Sequence, residues 1–497
     1  MSIRRFLAGL RASPEARGRL VCHRRIDARP ARYQELAQPL PPRLQEYLAR
    51  QGIAQLYTHQ AQAITAARAG KNVLSITATA SGKTLTYNLP VIETLLSDPR
   101  SRALYLFPTK ALAQDQLGKL RDFHLYPLLK PGTYDGDTPA HLRARYKREL
   151  NVVLTNPDML HVGILPYHGT WATFFRNLKY IVIDEIHAYR GVFGSHVANV
   201  LRRLRRICRL YGSDPQFLCC SATVANPMEL MQRLLGDGRE VAIIDDDGSP
   251  RGARHFLFWN PPPLGDGGRV STNLEATQLL ASLVRDGVRT ILFTRARKTA
   301  ELILRYARFA LQDTAPELAA RITSYRAGYS PEQRREIERA LFDGELLGVT
   351  STNALELGID IGNLHACIIA GYPGSIASTW QQAGRCGRGH DESLVILVAL
   401  DNPLDQYLMR HPEYFFGSPP EHAIVDPGNP HILREHLLCA AYEHPLQPDP
   451  DERIFGVSFR ALAGELARDG KVRRAGRALR GAGSQHPARQ VNIRSVF

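Results

Sequence analysis

Two tandem α/β domains, each a parallel sheet covered by helices, are what this sequence predicts, with a short mainly helical stretch after them. Three observations carry that expectation. Short apolar runs of strand length recur with helix-like stretches between them. Their hydrophobicity is continuous rather than alternating, which suits strands buried on both faces. The runs also fall into two sets, parted by residues 245–268, a stretch rich in Gly, Pro and Asp.

The first set is "NVLSI" (72–76), "ALYLF" (103–107), "NVVLT" (151–155), "YIVID" (180–184) and "FLCCSA" (217–222). The second is "TILFT" (290–294), "ITSYR" (322–326), "LGVTST" (347–352), "ACIIAG" (366–371) and "LVILVAL" (394–400). The resulting division is a basic N-terminal segment 1–50, a first domain 51–245, a linker 246–270 carrying one short strand, a second domain 271–420 and a C-terminal extension 421–497. In the extension, "PHILREHLLCAAYEH" and "FRALAGELARDGK" space their apolar residues by three and four, as helices do. The closing "GAGSQHPARQVNIRSVF" starts loose and ends in a stretch that reads as a strand.

Across 497 residues, 63 Lys+Arg against 48 Asp+Glu leave a net charge of +15. That excess favours a polyanionic partner, nucleic acid above all, with an acidic membrane surface as the other class. The runs "LRRLRRICRL" (201–210) and "VRRAGRALRG" (472–481) read equally well as solvated helix faces. In the helix "GSHVANVLRRLRRICRL" (194–210), Val197, Val200, Leu201, Leu204 and Ile207 face the sheet, which turns the arginines to solvent or to a neighbouring domain. Seven cysteines form no C-x-x-C pair, so neither a zinc ribbon nor a disulfide framework is suggested, and a reducing, cytoplasmic setting is expected. The two arginines near the N-terminus lack a following apolar core, which rules out reading them as a secretion signal. No stretch approaches the roughly 18 apolar residues of a membrane span.

"TATASGKT" (77–84) ends like a phosphate-binding loop, although Thr77 stands where such loops carry glycine. It joins a strand to a helix start, where N–H groups and the positive end of the helix dipole converge on a phosphate. Thr77, Ala78, Thr79, Ala80, Ser81 and Gly82 would form the cradle. Lys83 would reach the β/γ-phosphates, and the Thr84 hydroxyl would ligate Mg²⁺. In "YIVIDEIHAY", Asp184 can hold Mg²⁺ and Glu185 can orient and deprotonate an attacking water. ATP and Mg²⁺ are therefore the expected cofactors.

With "SAT" (221–223), these strings resemble motifs I, II and III of superfamily 2 helicases. The resemblance implies two RecA-like domains and places His187 in the nucleotide site. "LYTHQAQAI" (56–64) resembles the entry motif, in which Gln60 would read the adenine edge. "LFPTKALAQDQ" (106–116) and "TNPDML" (155–160) resemble motifs Ia and Ib, so Pro108, Thr109, Lys110, Thr155, Asn156 and Pro157 are expected to grip one strand's backbone. "STNALELGIDIG" (351–362) resembles motif V, which adds Ser351, Thr352 and Asn353 to that grip. "QQAGRCGRGH" (381–390) resembles motif VI. By its pattern Gln381, Arg385 and Arg388 face the first domain across a cleft and stabilise charge on the γ-phosphate.

Longer strings narrow the resemblance. "ATASGKTLTYNLPV", "YDGDTP", "YRGVFGSHVANVLRRLRRIC", "NPLDQYLMRHPEYFFGSPPEHAIVDPGNP" and "EHLLCAAYEHPL" are similar to the YprA/MrfA type of DEXH helicase, related to RecQ-like helicases. The similarity runs from about residue 22 almost to the C-terminus. It implies ATP-driven 3′→5′ movement on single-stranded DNA, unwinding of tailed duplexes and a role in DNA repair. Such proteins are expected to continue past a segment like "HPARQVNIRS" into a module with four clustered cysteines that bind zinc, a cluster this sequence lacks. Two other functions stay open at this point, an ATP-gated clamp that does not unwind and an RNA helicase. Against RNA stand DEIH in place of DEAD, and the lack of Phe and Pro-Thr framing around "LYTHQ".

Overall fold

The structure, a computed structural model, describes residues 3–78, 80–236, 240–265, 267–326, 328–357, 361–387 and 389–494. Two compact units divide it: Met1–Arg32, Ala78–Ser81 and Gly248–Glu421 form one, and Tyr33–Thr77, Gly82–Asp247 and His422–Phe497 the other.

In chain order the first strand is β1 (Leu20–Ile26). There follow β2 (Asn72–Ile76), β3 (Arg102–Leu106), β4 (Pro131–Thr133), β5 (Val152–Thr155), β6 (Leu178–Ile183), β7 (Gln216–Ser221) and β8 (Val241–Ile244). Strands β2 to β8 make one parallel sheet in the order β4-β5-β3-β6-β7-β2-β8. Alternate residues of each strand feed opposite faces. Leu74, Leu104, Ile181, Ile183 and Phe217 pack with Val197, Val200, Leu201 and Leu204 of the Gly191–Leu210 helix. Val73, Tyr105, Val182 and Leu218 pack on the other side with Ile64, Leu89, Ile92 and Leu117. Both faces are covered, which is why these strands read as unbroken apolar runs.

The other sheet takes β9 (Arg254–Trp259), β10 (Thr290–Thr294), β11 (Ile322–Tyr325), β12 (Gly348–Ser351), β13 (Ala366–Ala370) and β14 (Ser393–Val398). Its order is β1-β9-β14-β13-β10-β12-β11, parallel throughout except for β1, which runs antiparallel along β9. The N-terminal 50 residues are therefore no separate segment. They give β1 to this sheet, and their Pro42–Arg50 helix sends Leu44, Tyr47 and Leu48 into the core of the first sheet. The short strand of the 246–270 linker is β9, an inner strand of the second sheet.

The C-terminal region is three helices, Pro430–Glu443, Pro448–Phe455 and Phe459–Arg468, and a hairpin of β15 (Val472–Ala475) and β16 (Ala478–Gly481). Leu433, Leu437, Leu446, Phe455, Leu466 and Val472 share its core. "VRRAGRALRG" is thus this hairpin and not a helix face, turned at Gly476 with φ +63°. The closing stretch holds a 3₁₀ turn at Pro487–Gln490 and, among the described residues, no strand.

The Gly191–Leu210 helix buries Val197, Val200, Leu201, Leu204 and Ile207 as expected, but three of its five arginines are not solvated. Arg203, Arg205 and Arg206 are all buried. Arg203 pairs with Glu443, and Arg206 Nε sits 2.7 Å from Asp451 Oδ1 while its other nitrogens donate to the carbonyls of Ala440, His444 and Pro445. These contacts dock the C-terminal helices onto the first sheet's own helix. Among the described residues no helix is long and apolar enough to cross a membrane.

Candidate functional site

In the first sheet β2 lies beside β7, and β7 beside β6. The loops leaving their C-terminal ends therefore gather at one edge, where parallel α/β sheets place ligands. Those loops carry "TATASGKT", "SAT" and "DEIH". The first passes into the Thr84–Ser97 helix, with Thr84 as its opening residue. Thr77 and Ser81 are buried, Ala78 and Ala80 exposed, and Thr79 lies outside the described residues. Ala80 and Gly82 adopt left-handed backbone at φ +65° and +81°. Glycine suits this geometry, because φ +81° disfavours a side chain and a Cβ at Gly82 would lie 2.6 Å from Gln60 Nε2, which would have to move.

Gln60 is buried with both ends of its amide engaged. Its Nε2 donates to the Gly82 carbonyl at 3.1 Å, and its Oε1 accepts the Tyr57 N–H at 3.0 Å. It ties the start of the Thr58–Arg68 helix to the phosphate loop, and each amide atom keeps one further hydrogen-bonding capacity.

Lys83 Nζ lies 3.9 Å from Glu185 Oε2 and 3.5 Å from the Ser221 carbonyl. Glu185 sits at φ +51°, ψ +47°, a left-handed conformation costing a non-glycine residue about 1–3 kcal/mol and typical of functional sites. Asp184 Oδ1 accepts the Glu185 N–H at 2.9 Å, and the Tyr87 hydroxyl stands 3.2 Å from both Asp184 Oδ2 and Gln116 Oε1. Burial, then the neighbouring Glu185 charge, push the Asp184 carboxyl up from the usual carboxylate range, with Lys83 opposing them. Two acidic groups closing a buried strand are costly without a cation to share them. The Thr84 hydroxyl and Asp184 carboxylate are hard oxygen donors of the kind Mg²⁺ takes, completed by water and phosphate. His187 Nδ1 accepts the Ala222 N–H at 3.0 Å, so the 3.5 Å approach of Glu185 Oε2 to that nitrogen is no donated bond. His187 thereby links the acidic loop to "SAT".

The residues expected to hold nucleic acid mostly shape their own loops. Thr109 caps the Lys110–Arg121 helix by accepting from Leu112 N, and Lys110 Nζ reaches Asp137 at 2.6 Å. The buried Thr155 hydroxyl donates to the Tyr134 carbonyl, and Asn156 Oδ1 accepts from Met159 N at 2.8 Å. Pro108 and Pro157 are buried.

In the second sheet's unit, Ser351 is buried with its hydroxyl on the Tyr325 carbonyl, Thr352 is buried and Asn353 is exposed. The Ile376–Ala383 helix begins with Glu421 accepting the N–H groups of Ile376 at 2.6 Å and Ala377 at 3.0 Å. Gln381 lies half-buried on its last turn, next to Gln382, which donates to Glu356 at 3.0 Å. Arg385 is buried, donating to the Leu357 carbonyl at 3.3 Å, and Arg388 lies outside the described residues.

Sequence reasoning missed Tyr87, Glu421 and Arg494. Tyr87 had a signal, since it falls one helical turn after Thr84 and so shares its face. Glu421 and Arg494 had none, because their partners lie far off in the chain.

Three family models match in order: DEAD/DEAH box helicase over residues 57–230, helicase conserved C-terminal domain over 274–390, and the winged helix domain of ATP-dependent helicase HRQ1 over 425–496. The last accounts for the three helices and hairpin. The chain is 48% identical over 478 residues to the ATP-dependent helicase YprA of Bacillus subtilis (strain 168), covering 95% of this chain and 63% of that protein. It is 43% identical to the ATP-dependent helicase HRQ1 of Saccharomyces cerevisiae (strain ATCC 204508 / S288c), over 87% of this chain and 41% of that one. The chain thus spans less than two thirds of the length of either. The crystal structure of DUF1998 helicase MrfA bound to DNA and AMPPNP superposes with a TM-score of 0.93 at 46% identity, covering 100% of this chain and 68% of that one. Matching that structure across both sheets and the winged helix, with the phosphate loop and acidic pair on adjoining strands, the chain belongs to the YprA/MrfA type of superfamily 2 helicases.

Proposed function

We propose that this chain is the motor of an ATP-dependent DNA helicase, moving 3′→5′ along single-stranded DNA in the service of DNA repair. The observation that carries the reading is the meeting of Lys83 with Glu185 and Ser221 at the ends of three neighbouring strands. That arrangement suits one task, holding a nucleoside triphosphate with a water in line behind it.

In this reading Gln60 recognises the adenine edge, and Thr77 to Gly82 cradle the phosphates. Thr84 and Asp184 would hold Mg²⁺, which would supply positive charge beside the phosphates. Glu185 takes the proton of the attacking water, and His187 passes the state of the acidic loop to "SAT". Gln381, Arg385 and Arg388 stabilise charge on the γ-phosphate. Pro108 to Lys110, Thr155 to Pro157 and Ser351 to Asn353 form the track for one DNA strand. Thr109, Thr155 and Asn156 do so chiefly by fixing loop shape, which suits a grip on backbone that ignores sequence. The net charge of +15 suits the same partner. MrfA has been captured with DNA and AMPPNP, which favours DNA over RNA for this chain.

The test is ATP turnover with no polynucleotide, with single-stranded DNA, and with RNA of equal length. Strong stimulation by DNA, followed by unwinding of a tailed duplex with a 3′ overhang, is the expected result. Stimulation by RNA alone would assign the chain to RNA. Stimulation by DNA without unwinding would make it a clamp or bare translocase.

A further inference from the structure

Arg494 is 336 residues from its principal partner. It leaves the C-terminal stretch and reaches across two loops of the first sheet. Its Nε lies 2.9 Å from both carboxylate oxygens of Asp158, and one Nη lies 2.7 Å from Asp158 Oδ2. The same Nη donates to the Pro108 carbonyl at 3.0 Å. The guanidinium carbon also lies over the Phe193 ring, 4.7 Å from its centroid. A planar fork with donors in two directions and a stacking face can do all of this at once, and an ammonium cannot.

The two loops it joins are specific ones. Pro108 directly precedes Thr109 and Lys110 after β3, and Asp158 directly follows Asn156 and Pro157 after β5. Both are backbone loops of the proposed DNA track, on strands that neighbour each other in the sheet. Their relative position is bridged by a residue that belongs to neither.

Arg494 is itself held in place. Val491 and Ile493 pack with Ala488 and Cys439, and Val162 and Phe193 flank the group. The Val491 carbonyl sits 3.1 Å from His161 Nε2. His161 lies in a π-helical turn, Leu160–Ile164, that continues directly from the short helical turn Pro157–Met159 that holds Asp158. Such wide turns recur at functional sites. One C-terminal stretch therefore holds the track loop at Asp158 and again at His161.

We propose that Arg494 is a positioning residue for DNA engagement: it sets the spacing of the Pro108–Lys110 and Thr155–Pro157 loops, and makes the closing stretch of the winged-helix region part of the DNA grip. The proposal rests on the motor reading above. The Arg494 guanidinium bonds to the Asp158 carboxylate and the Pro108 carbonyl rather than to the phosphate loop or the acidic pair, so its loss weakens engagement rather than chemistry.

The experiment measures ATP turnover of the full chain against concentration of a fluorescent oligo-dT, with anisotropy giving its Kd. For Arg494→Ala, the DNA concentration for half-maximal stimulation and the Kd both rise about tenfold, as losing charged hydrogen bonds implies. Turnover at saturating DNA stays within about twofold of wild type. Arg494→Lys resembles the alanine variant. Asp158→Ala leaves the Val491–Ile493 packing intact, so it separates a positioning role from damage to the C-terminal fold. It must reproduce the shift, and the double variant must add nothing further. Wild-type half-saturation in Arg494→Ala, or a normal Asp158→Ala, overturns the proposal. A wild-type chain that neither binds oligo-dT nor responds to it would sink the motor reading itself, and this proposal with it.

Discussion

Arg203 and Glu443 form an ion pair with both side chains fully buried, the Arg203 Nε lying 3.1 and 3.2 Å from the two carboxylate oxygens. It fastens the helix that follows the acidic loop to the first helix of the winged-helix region. An unpaired charge left in such a place is costly, more so than the pair itself is favourable. Glu443→Ala should therefore lower stability by about 3–5 kcal/mol. Glu443→Gln, which keeps the acceptor and loses the charge, should fall between. Urea unfolding of the three proteins decides it. Equal stability of Glu443→Ala and wild type would mean that the pair does not hold the two regions together.

Three histidines surround that pair, and Arg203 dictates their tautomers because it can only donate. His161 Nδ1 accepts from it at 2.7 Å, leaving Nε2–H for the Val491 carbonyl. His436 Nδ1 accepts at 3.2 Å, leaving Nε2–H to donate to His196 Nδ1 at 3.0 Å. Burial first, and then the Arg203 charge, hold His161 down at about 3 and His436 well below its ordinary value, while burial lowers His196. The nearby His486 is lowered to about 4, mainly by burial, with Arg203 opposing the pull of Glu443. A histidine kept neutral in the fold but protonated when unfolded favours the unfolded chain as pH falls. Stability should hold above pH ~6.5 and drop below it, by up to about 1.4 kcal/mol per pH unit for each histidine. His161→Asn keeps an acceptor for Arg203 and cannot titrate, so it should flatten the decline between pH 7 and 5. An identical slope would remove His161 from the cause.

The sheets, and the meeting of Lys83, Asp184 and Glu185 at adjoining strand ends, were legible in the sequence because their physics is local. A strand covered on both faces is largely apolar along its length, and the ten runs mark nine inner strands and one edge strand, β11. Lys83, Thr84, Asp184 and Glu185 stand out because their chemistry demands those residue types at strand ends. What stayed hidden was either polar or distant. β1, "LVCHRRI", is an edge strand with three of its seven residues exposed and none buried, and β4 has three residues, two of them Pro and Gly. The arginines of the Gly191–Leu210 helix find Glu443 and Asp451 some 240 residues away. Their spacing could announce a helix face but not whether protein or water would cover it.

Glu185 offers a clean test of the chemistry. Its left-handed backbone aims the carboxylate at Lys83 and past His187, and Gln is nearly the same size. Glu185→Gln should bind a fluorescent ATP analogue as the wild type does, while turnover falls by about 10²–10⁴. Turnover near the wild-type rate would take the water-activating role from this residue.

Gly82 and Gln60 test how the loop is shaped. An alanine at Gly82 meets two obstacles, a φ of +81° that disfavours any side chain and the Gln60 amide 2.6 Å from its Cβ. Gln60 can yield only by abandoning the Gly82 carbonyl, and a swing of its side chain also releases the Tyr57 N–H it now accepts. Gly82→Ala should cost about 1–3 kcal/mol of stability, and should weaken nucleotide binding about tenfold, the equivalent of some 1.4 kcal/mol. Removing the obstruction in Gly82→Ala/Gln60→Ala relieves the clash and leaves the backbone strain, so stability should recover in part while nucleotide affinity does not. Ala80, already strained at φ +65°, runs the opposite way: Ala80→Gly should be neutral or stabilising by up to about 1 kcal/mol. Nucleotide titration and thermal unfolding of the three variants and the wild type read both quantities. Wild-type affinity in Gly82→Ala would show that Gln60, for all its closeness, does not shape the site that holds the phosphates.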